Sequence, residues 1–168
     1  MNKGKCERLP QGRQEVILDE VLCFHSNDSK TNRCIPFSLT KNYQFLEFAC
    51  SYEPKSCDDM ETAKQLIMAG LESYVPPEYR EYCEPWEDFL PSVVNFITFS
   101  LDSPEKYLGC AHRHAPEQRH IISAGFSSPG FFRYAPNAGE WRAVLNVHAV
   151  VSTEVRYHFQ ILAHNEDY

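Results

Sequence analysis

No run in this 168-residue chain comes near the roughly 20 consecutive apolar residues that a membrane-crossing helix needs. The first fourteen residues are polar and basic, with no apolar stretch behind them, so they do not read as a secretory leader. Together these two absences predict a soluble, cytoplasmic protein that makes no membrane contact. Zinc-knuckle cysteine spacing is also missing: the seven cysteines are scattered, and their odd number leaves at least one without a partner in the chain. Cys23 and Cys50 lie in apolar runs, which predicts buried, reduced thiols. There is no phosphate-cradling glycine loop, no nucleophile-elbow pattern around Ser127 and Ser128, and no glycosidase-type carboxylate pair. Positive charge is not in excess either. A formal net charge of -7 argues against a nucleic-acid binder. No internal repeat or linker divides the sequence, so one domain over 15–168, preceded by a loose arm over 1–14, is the expected organisation.

What the chain does have is alternation. Aromatic residues make up 13% of it, a composition that favours strands. Period-two patterning predicts strands at 15–24 (Val16, Leu18, Leu22 and Phe24 inward), 43–52 (Leu46, Phe48, Cys50, Tyr52), 93–101 (Val93, Asn95, Ile97, Phe99, Leu101), 139–151 (Trp141 through Val151) and 155–163 (Val155, Tyr157, Phe159, Ile161). Shorter strands are expected at 107–111 and 119–126. Pro36 marks the piece around Ile35 and Phe37 as a sheet edge or a strand start. One helix is predicted over 58–74, capped by Asp58 with Glu61 three residues on, and carrying Met60, Ala63, Ile67, Leu71 and Tyr74 at helical spacing. Pro76-Pro77 ends it. The acidic, proline-rich stretch 75–92, with Tyr79, Tyr82, Trp86 and Phe89, reads as an irregular segment packed on the sheets or, failing that, as a surface for a partner or a second copy. The sum is an antiparallel β-sandwich, jelly-roll-like, of seven to nine strands with one helical insertion.

The last two strands share odd-numbered apolar positions. Read as a hairpin with a three-residue turn at 152–154, they would set His148 opposite His158 on the wet face. Arg133 and Arg142 then join these histidines as candidate ligand-binding residues, because arginine forks suit planar oxyanions. A second constellation is His112-Arg113-His114 with Glu117. Two histidines on one side of a strand, helped by a carboxylate, could hold a single divalent transition metal, as cupins do. Against it, Arg142 stands where the second cupin motif would place a histidine, and it has no free lone pair to offer. Cys110, close to these histidines, is a conceivable thiolate partner that nothing else in the sequence supports. The residues alone imply no cofactor, with one transition metal as the alternative.

The stretch Ala124-Gly125-Phe126-Ser127-Ser128-Pro129-Gly130-Phe131, followed by Pro136 and Gly139-Glu140-Trp141, resembles the N-terminal β-sandwich of CehA/McbA-like PHP metallohydrolases. Ile35-Pro36-Phe37 resembles that family's early strand. The likeness spans roughly 33–163 and is most specific over 124–145. The family's Gly-Trp-Ser-Gly segment is replaced here by Gly109-Cys110-Ala111-His112, and the catalytic PHP barrel has no counterpart. What the resemblance implies is an accessory sandwich, non-catalytic on its own, working with a separate PHP-type hydrolase chain.

Overall fold

A computed structural model describes residues 14–165. The predicted arm lies outside the described residues, except for Gln14, which opens the first strand. The strands are β1 (Gln14–Phe24), β2 (Thr31–Leu39), β3 (Phe45–Glu53), β4 (Phe96–Asp102), β5 (Tyr107–Ala111), β6 (Glu117–Ser123), β7 (Gly139–Ala149) and β8 (Val155–His164); the helix α1 (Met60–Tyr74) stands between β3 and β4. They form two four-stranded antiparallel sheets, one ordered β1-β8-β3-β6 and the other β2-β7-β4-β5. The pairs β1 with β8, β2 with β7, β3 with β6 and β4 with β5 are nested. That is one long hairpin rolled into a jelly roll, so the expected β-sandwich is present.

Rolling decides which strands face each other. β4 and β5 alone are consecutive and paired, joined by a turn in which the Ser103 hydroxyl accepts from the Glu105 and Lys106 amides. Every other connection crosses from one sheet to the other. The expected β7–β8 hairpin is therefore corrected: β7 pairs with β2 and β4, and β8 with β1 and β3. Equal parity of inward residues holds for two strands facing each other across a core as well as for neighbours in one sheet.

The core lies between the sheets. Trp141, Leu145 and Phe99 from one meet Phe48, Tyr157, Phe159 and Ile161 from the other, all at most 2% exposed. Rings of Phe48, Phe99 and Phe159 pack 5.3–6.4 Å apart by centroid. Two glycines allow the 127–131 loop to close over β5: a Cβ on Gly109 would come within 2.1 Å of the Gly130 carbonyl oxygen, and both glycines have positive φ.

Smaller expectations shift in ways the geometry explains. A bulge between Val16 and Leu18 turns Val16 outward, and Ile17 and Leu18 pack on the core instead. Cys23 is exposed because it alternates with Leu22 and Phe24, whereas Cys50 is buried as expected. Pro36 sits in an edge strand of its sheet. The helix is capped one residue later than predicted: the Asp59 carboxylate accepts from the Thr62 amide at 2.8 Å. Met60 and Tyr74, expected on its inner face, are both exposed.

At the corner between β7 and β8, Asn95 is fully buried. Its Oδ1 accepts from the Val151 and Ser152 amides at 2.7 and 3.3 Å, and its Nδ2 donates to the Pro54 carbonyl at 2.9 Å and to the Ser152 hydroxyl at 2.7 Å. One amide side chain thus satisfies the backbone where the chain changes sheets.

Candidate functional site

The four residues predicted to share a ligand do not converge. Arg142 lies on the outer face of the β2-β7-β4-β5 sheet and holds Asp102 with two donors, Nε at 2.9 Å and an Nη at 2.7 Å. His148 is on the same face, its Nε2 2.9 Å from the Thr98 hydroxyl. His158 belongs to the other sheet and pairs with Asp19 at 2.6 Å. That bond draws the Asp19 carboxyl below its usual range. Arg133 is exposed in the loop before β7. The hairpin that would have set His148 against His158 does not exist, and the sandwich core separates them.

The predicted metal triad is dispersed for a related reason. His112 and His114 follow β5 and gather beside the β2-β7-β4-β5 sheet. The His114 ring stacks on Phe96 at 4.4 Å, His148 stacks on the same phenyl ring at 4.7 Å, and His112 lies 6.0 Å from His148. Glu117 opens β6 in the opposite sheet and lines a depression with Ser51, Arg119 and His158. Among the described residues, no three His, Cys, Asp or Glu side chains are grouped to hold a metal ion. Burial pushes the Cys110 thiol up, away from a thiolate, and burial followed by the nearby His112 pushes the His148 imidazole down. His120, three residues beyond Glu117 on β6, points into the core between Phe99 and Phe131. Desolvation, then the Arg113 charge, lowers it to about 4.

The outer face of the β1-β8-β3-β6 sheet carries two adjoining depressions of about 440 and 530 Å³ that share Ser51, Glu117 and His158. Two of the side chains that line them have ionic partners within the fold. Arg119 reaches Glu47 at 2.9 Å, and His158 is held by Asp19. Glu47 was not singled out by the sequence, since an outward carboxylate in a strand is ordinary. Here it is buried beside Arg119 and His164.

A third region is built differently. Between β3 and β4 the chain leaves the sandwich over 58–92 and returns. Ala63 and Ile67 of α1 pack with Val93 on Trp86, Phe89 and Leu90, a small core separate from the main one. Lys64 lies 5.2 Å over the Trp86 ring. Two short 3-10 turns, Pro77–Tyr82 and Trp86–Ser92, come after the helix. Arg80 in the first donates to the Glu72 and Val75 carbonyls at 2.8 and 2.9 Å, closing the C-terminus of α1. So 75–92 is packed only in its second half, and there mainly against α1 rather than on the sheets as expected. Tyr79 and Tyr82 face solvent, Tyr82 with 76% of its surface exposed.

This excursion concentrates what the rest of the surface disperses. It holds nine carboxylates, from Asp58 to Asp88, against Lys64 and Arg80 alone, a balance of -7. The remainder of the chain has fourteen residues of each sign, so the whole net charge resides here. Among the described residues, six of the eleven large exposed apolar side chains are also here: Met60, Leu66, Met68, Tyr74, Tyr79 and Tyr82. Between α1 and the 77–82 turn lies a cleft of about 520 Å³ lined by Gln65, Met68, Ala69, Leu71, Glu72, Arg80 and Cys83. The sequence pattern does not single out Leu66 or Met68: two positions apart, they lie on opposite flanks of the Ala63–Ile67–Leu71 stripe, and only Met68 lines the cleft.

Comparison with known protein families returned no matching family, and comparison with curated proteins returned no matching relative.

Proposed function

We propose that this jelly roll is a non-catalytic protein-interaction module whose working surface is the 58–92 excursion. One observation carries the reading: the exposed methionines Met60 and Met68, the exposed tyrosines Tyr74, Tyr79 and Tyr82 and the entire negative excess of the chain share one excursion from the sandwich. Surfaces that are both apolar and charged in this way are what partner recognition uses, with aromatic anchors inside a polar rim. The resemblance to PHP-associated sandwiches supplies the partner class, a separate PHP-type hydrolase chain to which this domain is accessory.

Site-specific photo-crosslinking in the native cell tests it. A photoreactive phenylalanine analogue placed at Tyr79 or Tyr82 is expected to give one and the same adduct, identified by peptide mass spectrometry. The same probe at Val21 or Tyr107, exposed on the two sheets, is expected to give none. Adducts only from Val21 or Tyr107 would overturn the assignment of the surface, and a hydrolase in the Tyr79 adduct supports the accessory role.

A further inference from the structure

We infer that the cleft between α1 and the 77–82 turn receives a lysine- or arginine-rich amphipathic helix from the partner protein. This rests on the interaction-module reading and specifies its occupant. The cleft has an apolar floor and wall, Met68, Ala69 and Leu71, with Glu72 at its side and the exposed carboxylates of Glu78, Glu81 and Glu84 on the adjoining turn and just beyond it. Among the lining residues the one cation, Arg80, is turned toward the helix carbonyls and is outnumbered by Glu72, Glu78, Glu81 and Glu84, so the net charge met by an incoming chain is negative. That complement is basic. A second copy of the same face would set -7 against -7, and an anionic lipid or nucleic-acid surface would be repelled likewise.

The walls favour a helix over an extended strand. Strand addition needs a row of unpaired backbone groups. Here the walls are side chains, and the backbone carbonyls at the end of α1 are already taken by Arg80 and by the Val75 amide. Recognition must come from apolar side chains at helical spacing seated against methionine, a flexible and polarisable contact surface, with basic residues flanking them.

The test uses the full chain and synthetic peptides of about 18 residues, five helical turns. One peptide carries leucine and lysine arranged to give a single apolar face, a second has the same composition scrambled, and a third replaces lysine by glutamate. Fluorescence anisotropy is expected to show the amphipathic lysine peptide binding about tenfold or more tightly than either control. Binding should weaken as salt rises. Met68→Asn and the triple variant Glu78→Gln/Glu81→Gln/Glu84→Gln should each lower its affinity about tenfold. These side chains are exposed, and unchanged thermal melting confirms that the variants fold. Equal binding of the scrambled peptide, or variants that bind like the parent chain, would overturn the inference. The module reading survives that result if the Tyr79 adduct forms, and falls separately if it does not.

Discussion

Asn95 shows how much one residue can hold. It has a polar side chain in an inward slot between Val93 and Ile97, a position where a fully buried amide must find every partner or cost stability. It finds four, on two segments of chain: three at Val151 and Ser152, where β7 hands over to β8, and one at the Pro54 carbonyl just beyond β3. Asn95→Ala leaves the Val151 and Ser152 amides buried without an acceptor. We expect a loss of about 3 kcal/mol in urea unfolding, since each orphaned buried group costs about 1–3 kcal/mol. Asn95→Asp should also destabilise, because it keeps the acceptor but buries a carboxylate and turns one of its oxygens on the Pro54 carbonyl. A loss below about 1 kcal/mol for Asn95→Ala would show that water replaces the amide. The alternation that made neighbouring residues legible also placed Asn95 on the inner face, but its partners are 41 and 57 positions away along the chain and leave no local mark.

Among the elements, α1 stands apart. Its own stability is modest: a single turn-spaced pair, Ala63 and Ile67, is buried, and the small core they make is distinct from that of the sandwich. A 15-residue helix in water is marginal without such packing. The excursion should therefore open locally while the sheets stay closed, and hydrogen exchange is expected to be faster in α1 than in β7 and β8. Removing the cap sharpens the contrast. Asp59→Ala should cost about 1 kcal/mol and speed exchange at residues 60–66 about fivefold, with β8 amides unchanged. Equal acceleration in both would mean that helix and sandwich open as one unit. The existence and length of α1 were legible because helical periodicity and the Pro76-Pro77 stop are local signals. The cap was misplaced by one residue because Asp58 and Asp59 are chemically equivalent and only the turn geometry chooses between them.

Over the whole molecule, three histidines at three depths favour the neutral form: His120 between the sheets, His148 on one outer face and His164 on the other, each lowered first by burial. For His120 the sign is definite. A folded value of about 4 against 6.5 means that the unfolded chain takes up a proton first as the pH falls. Its contribution is intact above 6.5 and is lost between 6.5 and about 4. The loss is on the order of 3 kcal/mol at the acid end. His120→Gln should flatten that part of the stability curve, measured by urea unfolding at stepped pH. An unchanged slope would mean that His120 already carries a proton in the fold. The carboxylates of Asp19 and Asp59, both lowered by hydrogen-bond partners, lose their contribution below the histidine window.

The sequence by itself determined the fold class, the inward-facing residues of most strands, the location of the helix and the acidity of the segment after it. Those properties come from the two-residue pleat and the 3.6-residue turn, which a chain carries wherever it goes. Tertiary structure decided which strands are neighbours. Odd positions in β7 and β8 face inward equally well across a core or within one sheet, so parity could not distinguish the two. Rolling the nested hairpin placed His148 and His158 on opposite sides, parted Glu117 from His112 and His114, and left an acidic, aromatic excursion on the outside. Pairing is a contact between residues distant in sequence, and only the closed fold settles it.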